Sequence, residues 1–470
     1  MRHSTTHSES PIVSWYRGLF MHMPCMDSLD VLEETLIGVD QNGTIASILS
    51  PTADNYQQTL QMVRQNGSLQ QMTPRQLMIP GLTDLHVHAP QWPQLGMALH
   101  LPLQDWLERY TFPLEARYSD LDFARQVYAS LVSTLLANGT TTAMYFATLH
   151  EEATELLAST CLELGQRAHV GRVAMDHAGQ CPDYYRDADA RAAIAASERS
   201  IRAIRGLDNN RSALVKPVIT PRFIPSCTNE LLTGLGELAS DTHCHVQTHC
   251  SESDWEHDHV LQRLGKSDTQ ALADFGLLTR HTVLAHSNFI SDHDMALIHE
   301  AGGGIAHCPL SNSYFANSVF PLRRALQKSL RVGLGTDIAG GHSASMFDSC
   351  QHAVAVSRLL ESGVDTRLPT TERGSSASRI DFLEAFHLAT AGGAEVLDNP
   401  TGSFQVGRQF DALLLDLDNP DNRLDEFQHA ASWEDLLGCI IHNAQPCNMQ
   451  QVWVAGHCVA AGSGDGFARS

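Results

Sequence analysis

The chain has 470 residues, 43% of them apolar, which is enough to bury the core of one or two domains. A formal net charge of −22 repels phosphate backbones and anionic lipid heads, so neither nucleic acid nor a membrane is an expected partner. Eleven singly scattered cysteines without a Cys-x-x-Cys signal neither a disulfide framework nor a thiolate zinc site. The opening residues lack the apolar core of a secretory leader, so a reducing compartment, most simply the cytoplasm, is expected.

In chain order, "LIGVDQNGTIASIL" (Leu36 to Leu49) reads as a hairpin turning at Asn42-Gly43. From residue 79 onward, short apolar runs alternate with longer helical patterns. The strand candidates are "IPGLTDLHVH", "GTTTAMYFA", "RAHVGRVAMD", "LVKPVITPRF", "HCHVQTHC", "HTVLAHSNF", "GGIAHCPLSN" and "RVGLGTDIAGG". Helical segments between them include "DLDFARQVYASLVSTLLANG", with Ser119 and Asp122 spaced as a capping box and Gly139 as a stop. The others are "EEATELLASTCLELG", "DADARAAIAASERSIRAIRG", "TNELLTGLGELASDT" and "SDHDMALIHEAGG".

Eight strand–helix alternations imply parallel strands joined by right-handed crossovers, and so an α/β (β/α)8 TIM-like barrel, expected over 77–401. An open doubly wound sheet is the alternative, but no Gly-x-Gly-x-x-Gly follows any strand. "GSFQVGRQFDALLLDLDN" and "QVWVAGHCVAAG" also read as strands. With the amino-terminal flank they predict a small, discontinuous β-sandwich domain from 1–76 and 402–470.

Twenty-five histidines direct attention to metal or proton chemistry. Working residues of such barrels sit at strand carboxyl ends. His86 and His88 close the first strand, and residues two apart on a strand share a face. Two further His-x-His pairs act as controls: His243-Cys244-His245 opens the fifth strand, and His257-Asp258-His259 lies in a charged, solvated stretch. The fifth strand ends at His249, the sixth at His286 and the eighth at Asp337. His86, His88, His249 and Asp337 therefore form a candidate nitrogen–oxygen cage for one divalent ion, Zn2+ first, with Fe2+ also compatible.

Such an ion lowers the pKa of water from 15.7 to about 7. Glu252, just past the fifth strand in "THCSES", is the candidate general acid/base. His286 is a candidate for orienting water or stabilising charge, and Asp337 for accepting a proton as well as holding the ion. Only three lysines occur, Lys216, Lys266 and Lys328. None is expected at the mouth, where a carboxylated lysine would bridge a second ion, so one metal is favoured.

Together these residues resemble the amidohydrolase superfamily and, within it, the guanine deaminase family, over nearly the whole chain. The resemblance rests on "PGLTDLHVHAPQ", "LPLQDWLERYTFPLEAR", "NGTTTAMYFAT", "VKPVITPRF", "THCSES", "AHCP" with the following "SN", and "GLGTDIAGG". It implies hydrolysis of guanine to xanthine and ammonia on a single zinc in a homodimer. His86, His88, His249 and Asp337 would bind the ion, with Glu252 and Asp337 moving protons. Gln91 and Arg222, with Phe223, would hold the purine. An arginine fork donates to a ring carbonyl, a glutamine both donates and accepts, and an aromatic (Phe223 or Trp92) covers a ring face.

The stretch "SYFANSVFP" after Asn312 departs from the Gly- and Leu-rich stretch common in that family. His307 is expected either to line the pocket or to pack structurally. Two rivals remain. One is a mononuclear hydrolase of another amino-heterocycle, such as an oxidised purine, pterin, triazine or adenosine-like base. The other is a non-catalytic binding protein that keeps the barrel.

Overall fold

The structure is a computed structural model, described here for residues 10–210, 212–424 and 431–461. Eight parallel strands follow one another in sequence order around a single sheet. They are β1 (Leu82–His88), β2 (Thr140–Phe146), β3 (Arg167–Ala174), β4 (Val215–Pro221), β5 (His245–Cys250), β6 (Thr282–His286), β7 (Gly304–His307) and β8 (Arg331–Leu334).

Their residues are buried almost throughout, as expected for a parallel sheet covered on both faces. Beyond β8 the chain zips onto β1: Asp337 N–H donates to His86 O (2.8 Å) and His88 N–H to Ile338 O (2.8 Å). Thr336 N–H and Oγ1–H donate to the Asp84 carboxyl at 3.0 and 2.5 Å. These bonds join the last strand to the first, giving the predicted (β/α)8 barrel.

Helices Glu151–Glu163, Ala190–Arg205, Asn229–Thr242 and Asp292–Ala301 lie where the apolar periodicity placed them. Helix Leu121–Ala137 does too, but its cap differs from the expected one. Asp120 Oδ1 accepts from the backbone of Asp122 and Phe123 (3.0 and 3.2 Å), while Ser119 Oγ turns back to Ala116 O. Asp120, not Ser119, is the residue whose side chain reaches the orphan N–H groups of the first turn.

The stretch "IPGLTDLHVH" is two strands rather than one. Gln76–Pro80 pairs antiparallel with Ala412–Asp416 in a second sheet, and β1 begins only after Gly81. A Cβ on Gly81 would stand 2.2 Å from Thr141 Oγ1, so the chain changes sheet where only glycine fits.

The second sheet has eight strands drawn from both chain ends, with Ile12–Cys25 paired to Ser28–Asp40, Leu69–Gln71 and Gln76–Pro80. The Asn42-Gly43 turn joins Ser28–Asp40 to Ile45–Leu49, Gly43 taking a left-handed φ of 75°. Tyr16 and Phe20 of Ile12–Cys25 share one core cluster with Ile37, Ile45, Phe410 and Trp453 from elsewhere in the chain.

Contacts divide the chain into one compact unit of 84–134 and 142–381, and another of 1–83, 135–141 and 382–470. No helix among the described residues is long and apolar enough to cross a membrane.

Candidate active site

Strand direction decides where the chemistry collects. β1 delivers His86 and His88, both buried, and β5 delivers His249. His286 closes β6, and Asp337 lies three residues past β8. Ser251, His286, Ser287 and Asp337 all have left-handed φ values (47°, 68°, 56° and 50°). Each costs a non-glycine residue on the order of 1–3 kcal/mol. These turns bend the chain off the strand direction where the functional side chains leave it. Close packing supports the arrangement, since a Cβ on Gly335 would lie 2.9 Å from that of His86.

The four sequence-predicted ligands meet. His88 Nε2 lies 3.0 Å from His249 Nε2, and Asp337 Oδ1 lies 3.2 Å from His86 Nε2 and 3.5 Å from His88 Nε2. Donors that each stand about 2.0–2.1 Å from one ion at tetrahedral angles lie about 3.3 Å apart, so these spacings fit. His86 Nε2 has no partner in hydrogen-bond geometry.

Burial holds all three imidazoles well below their usual pKa, and for His86 and His88 neighbouring imidazoles act in the same direction. Burial is also the largest cause for His249. Neutral imidazole is the form a metal needs. A carbonyl fixes the tautomer at His249, where Nδ1 contacts Arg222 O at 2.6 Å and Nε2 faces the cluster. The residues present therefore fit a single divalent ion, as expected for a metal-dependent hydrolase.

His286 stands beside the cage, with Nε2 3.8 Å from both Glu252 Oε1 and Asp337 Oδ2. Its Nδ1 contacts Asn312 Oδ1 (2.9 Å), Asn312 donates to Asn288 Oδ1 (2.8 Å), and Asn288 donates to Glu252 O (2.8 Å). This relay ties the β6 and β7 loops to the backbone of the proposed acid/base. Burial pushes the Glu252 carboxyl well above its ordinary pKa, and the Asp337 charge adds to that. Asp337 is also raised, by burial, with His286 opposing.

Above the cluster lies a pocket walled by Gln91, Leu107, Arg222, Phe223, Glu252 and Phe315, with His88, His249 and Asp337 at its base. Gln91, Arg222 and Phe223 thus stand where the resemblance placed them. Trp92 does not. It is absent from the pocket wall, and its indole N–H donates to Ser130 Oγ at 3.1 Å, on helix Leu121–Ala137. The turn Ala89–Gln94 sends neighbours 91 and 92 to different sides. His307 packs against Phe320, with ring centroids 5.1 Å apart, and is not part of the wall.

Besides Leu103, Trp106, Leu107 and Gly340 of the wall, two contributors escaped the sequence reading. Phe315 comes from the departing "SYFANSVFP" stretch, whose first residues form helix Pro309–Phe315, and it contacts Trp106 at 5.1 Å between centroids. Glu115 comes from "LPLQDWLERYTFPLEAR". Buried, it binds both Arg222 Nη atoms (2.6 and 3.1 Å) and accepts from Gln91 Nε2 (2.9 Å). Its only signal in sequence is a carboxylate inside a helical, largely apolar motif, and its partner Arg222 is 107 residues away.

The model of the amidohydrolase family matches residues 77–459. The chain is 37% identical to a probable guanine deaminase of Schizosaccharomyces pombe, over 94% of this chain and 82% of that protein. It is 35% identical to guanine deaminase of Homo sapiens, over 95% and 96%. The crystal structure of guanine deaminase from C. acetobutylicum with guanine bound in its active site superposes with a TM-score of 0.83 at 31% identity, over 95% and 99% of the two chains. The chain belongs to the amidohydrolase family and, within it, to the guanine deaminases.

Proposed function

We propose that the protein hydrolyses guanine to xanthine and ammonia, with zinc as its metal. The observation that carries this reading is one pocket in which the buried Gln91, Arg222 and Phe223 are gathered with Glu252 and Asp337 around His88 and His249. The solved C. acetobutylicum relative holds guanine in its active site, which supports a purine as substrate.

His86, His88, His249 and Asp337 would hold the ion. When bound, it supplies Lewis acidity that makes hydroxide available near neutral pH. Arg222 N–H groups donate to a ring carbonyl, Gln91 presents both an acceptor and a donor to the purine edge, and Phe223 covers a ring face. Glu252 takes the proton of the attacking water at a carboxyl oxygen and returns it to the purine as the amino group departs. Its raised pKa suits a group that must both accept and give up a proton. Asp337 is the second proton carrier, and His286 steadies charge between the two carboxyls. Trp106, Leu107 and Phe315 exclude water from the ring.

An ammonia-release assay over guanine, adenine, cytosine, pterin and triazines, with and without chelator, tests the reading. Rapid release from another ring beside negligible release from guanine would overturn it. Arg222→Ala should weaken guanine turnover and leave metal content unchanged. Eleven free cysteines fit a reducing compartment such as the cytoplasm. Light scattering on the purified protein checks the homodimer that the family resemblance implies.

A further inference from the structure

We propose that Glu115 is the positioning residue that sets the donor–acceptor polarity of the purine pocket, and so its preference for rings carrying a carbonyl. The inference rests on the guanine reading above.

Glu115 does not itself line the pocket; it bonds from behind to Arg222 and Gln91, which do. It lies on the short helix Phe112–Ala116, which follows a wide helical turn over Leu107–Thr111. Wide turns of this kind recur at functional sites. Pro113, lacking an N–H, cannot close the ordinary helical bond there. The same segment places Leu107 on the pocket wall and Glu115 behind it.

Two hydrogen bonds from Arg222 and one from Gln91 converge on this carboxylate, beside the Tyr185 hydroxyl. The Gln91 amide is then committed. Its Nε2 donates to Glu115 Oε1, while its Oε1 accepts from Ala339 N–H at 3.2 Å. A flip would set its oxygen against Glu115 and its NH2 against the Ala339 N–H, both repulsive. One N–H and one lone pair remain on Gln91 in a known sense.

Arg222 is committed as well. Burial opposes its charge, and Glu115 outweighs that and holds the guanidinium charged. Two of its five N–H groups are spent on Glu115, leaving three with no acceptor but a ligand, and the ring of Phe112 lies 5.0 Å from its Cζ. A buried, permanently charged donor set favours an acceptor such as an oxo group and leaves unpaired donors with an amino-substituted ring edge. Sites built around hydrogen bonding reject such mismatches strongly. Glu115, which also hydrogen-bonds Tyr185 behind the wall, reaches a ligand through the pocket-lining Arg222 and Gln91, and its charge keeps the pocket from carrying a bare cation.

The test compares wild-type protein with Glu115→Gln and Glu115→Asp, each metal-loaded, on guanine and on adenine, with metal content and melting temperature measured alongside. Glu115→Gln removes the charge and frees the Gln91 amide to turn. It should raise KM for guanine at least tenfold, change kcat much less, and narrow the guanine-to-adenine ratio of kcat/KM. Glu115→Asp, which keeps the charge, should fall between the two, and if Glu115→Gln does not fold, it alone carries the comparison. An unchanged KM in a folded variant, or an equal loss on both rings with the ratio intact, would overturn the proposal. Wild-type protein that leaves guanine intact would instead sink the functional reading itself, a result distinguishable from active enzyme whose variants keep their KM.

Discussion

Both units of the molecule bury histidine, and the two environments differ in what they leave unsatisfied. His22, in the unit built from the chain ends, is 2% exposed, its Nδ1 accepts from Phe404 N–H at 3.2 Å, and its ring packs 5.6 Å from that of Phe404. It is a packed polar residue whose Nδ1 has a backbone partner and whose Nε2 lies 3.9 Å from Asp30 Oδ2. His86, His88 and His249 are as deeply buried, but their Nε2 atoms crowd one another and Asp337. Burial alone therefore does not mark a functional histidine. Convergence of ring nitrogens on a common point does, because a protein without a ligand there gains nothing from that crowding.

The mouth carries four non-glycine residues in left-handed conformations at or beside its functional positions, while Glu34, Asp398 and Ala455 take such conformations in the chain-end unit. The core of the chain-end unit is aromatic: Tyr16 stacks on Phe410 at 4.5 Å and meets Trp453 edge-on at 5.5 Å.

The comparison can be broken most directly at the mouth. Chelator-stripped protein should lose guanine turnover to background and regain it on adding Zn2+; full activity in metal-free protein would remove the basis for calling these histidines ligands. Glu252→Gln should lower kcat by about 10² to 10⁴-fold with metal content unchanged, the range typical of general acid/base groups.

In the chain-end unit, Phe410→Ala should cost roughly 3–5 kcal/mol of stability, as for a fully buried aromatic. Denaturant melts would report that loss, and KM for guanine in the remaining folded protein should stay unchanged.

His22 sharpens the contrast through pH. Burial pulls its pKa to about 4, against the partial opposition of Asp30. Its folded value lies below the unfolded value of about 6.5, so the unfolded chain binds more protons between the two. Its stabilising contribution is complete above pH 6.5 and declines as pH falls towards 4, by up to about 1.4 kcal/mol per unit. Melts of His22→Gln should show a shallower pH dependence than wild type over that window, and identical slopes would disprove it. The smallest effect is expected at Trp92. Trp92→Phe removes one hydrogen bond to Ser130, worth about 0.5–1.5 kcal/mol, and should leave KM for guanine unchanged.

Periodicity and strand-end position were sufficient to read the eight-strand barrel and the meeting of His86, His88, His249 and Asp337 at its mouth. A strand carries residues two apart to one face, so His86 and His88 travel together whatever surrounds them. Barrel closure then brings His249 and Asp337 to the same rim. Local signals were weaker. Ser119 and Asp120 are adjacent and both suited to capping, and only the entry angle of the helix selects Asp120. Gln91 and Trp92 sit on a short turn, where no repeat predicts direction, and one lines the pocket while the other bonds to a helix.

Local and periodic features were legible in the chain: which stretches become strands, which side chains share a strand face, and how acidic the protein is. Tertiary structure alone decided that Glu115 would stand behind Arg222 and Gln91, that Phe315 would wall the pocket, and that "IPGLTDLHVH" would divide between two sheets at Gly81. These outcomes depend on contacts between distant parts of the chain. Such contacts form only once burial and close packing have fixed which neighbour each polar group can reach.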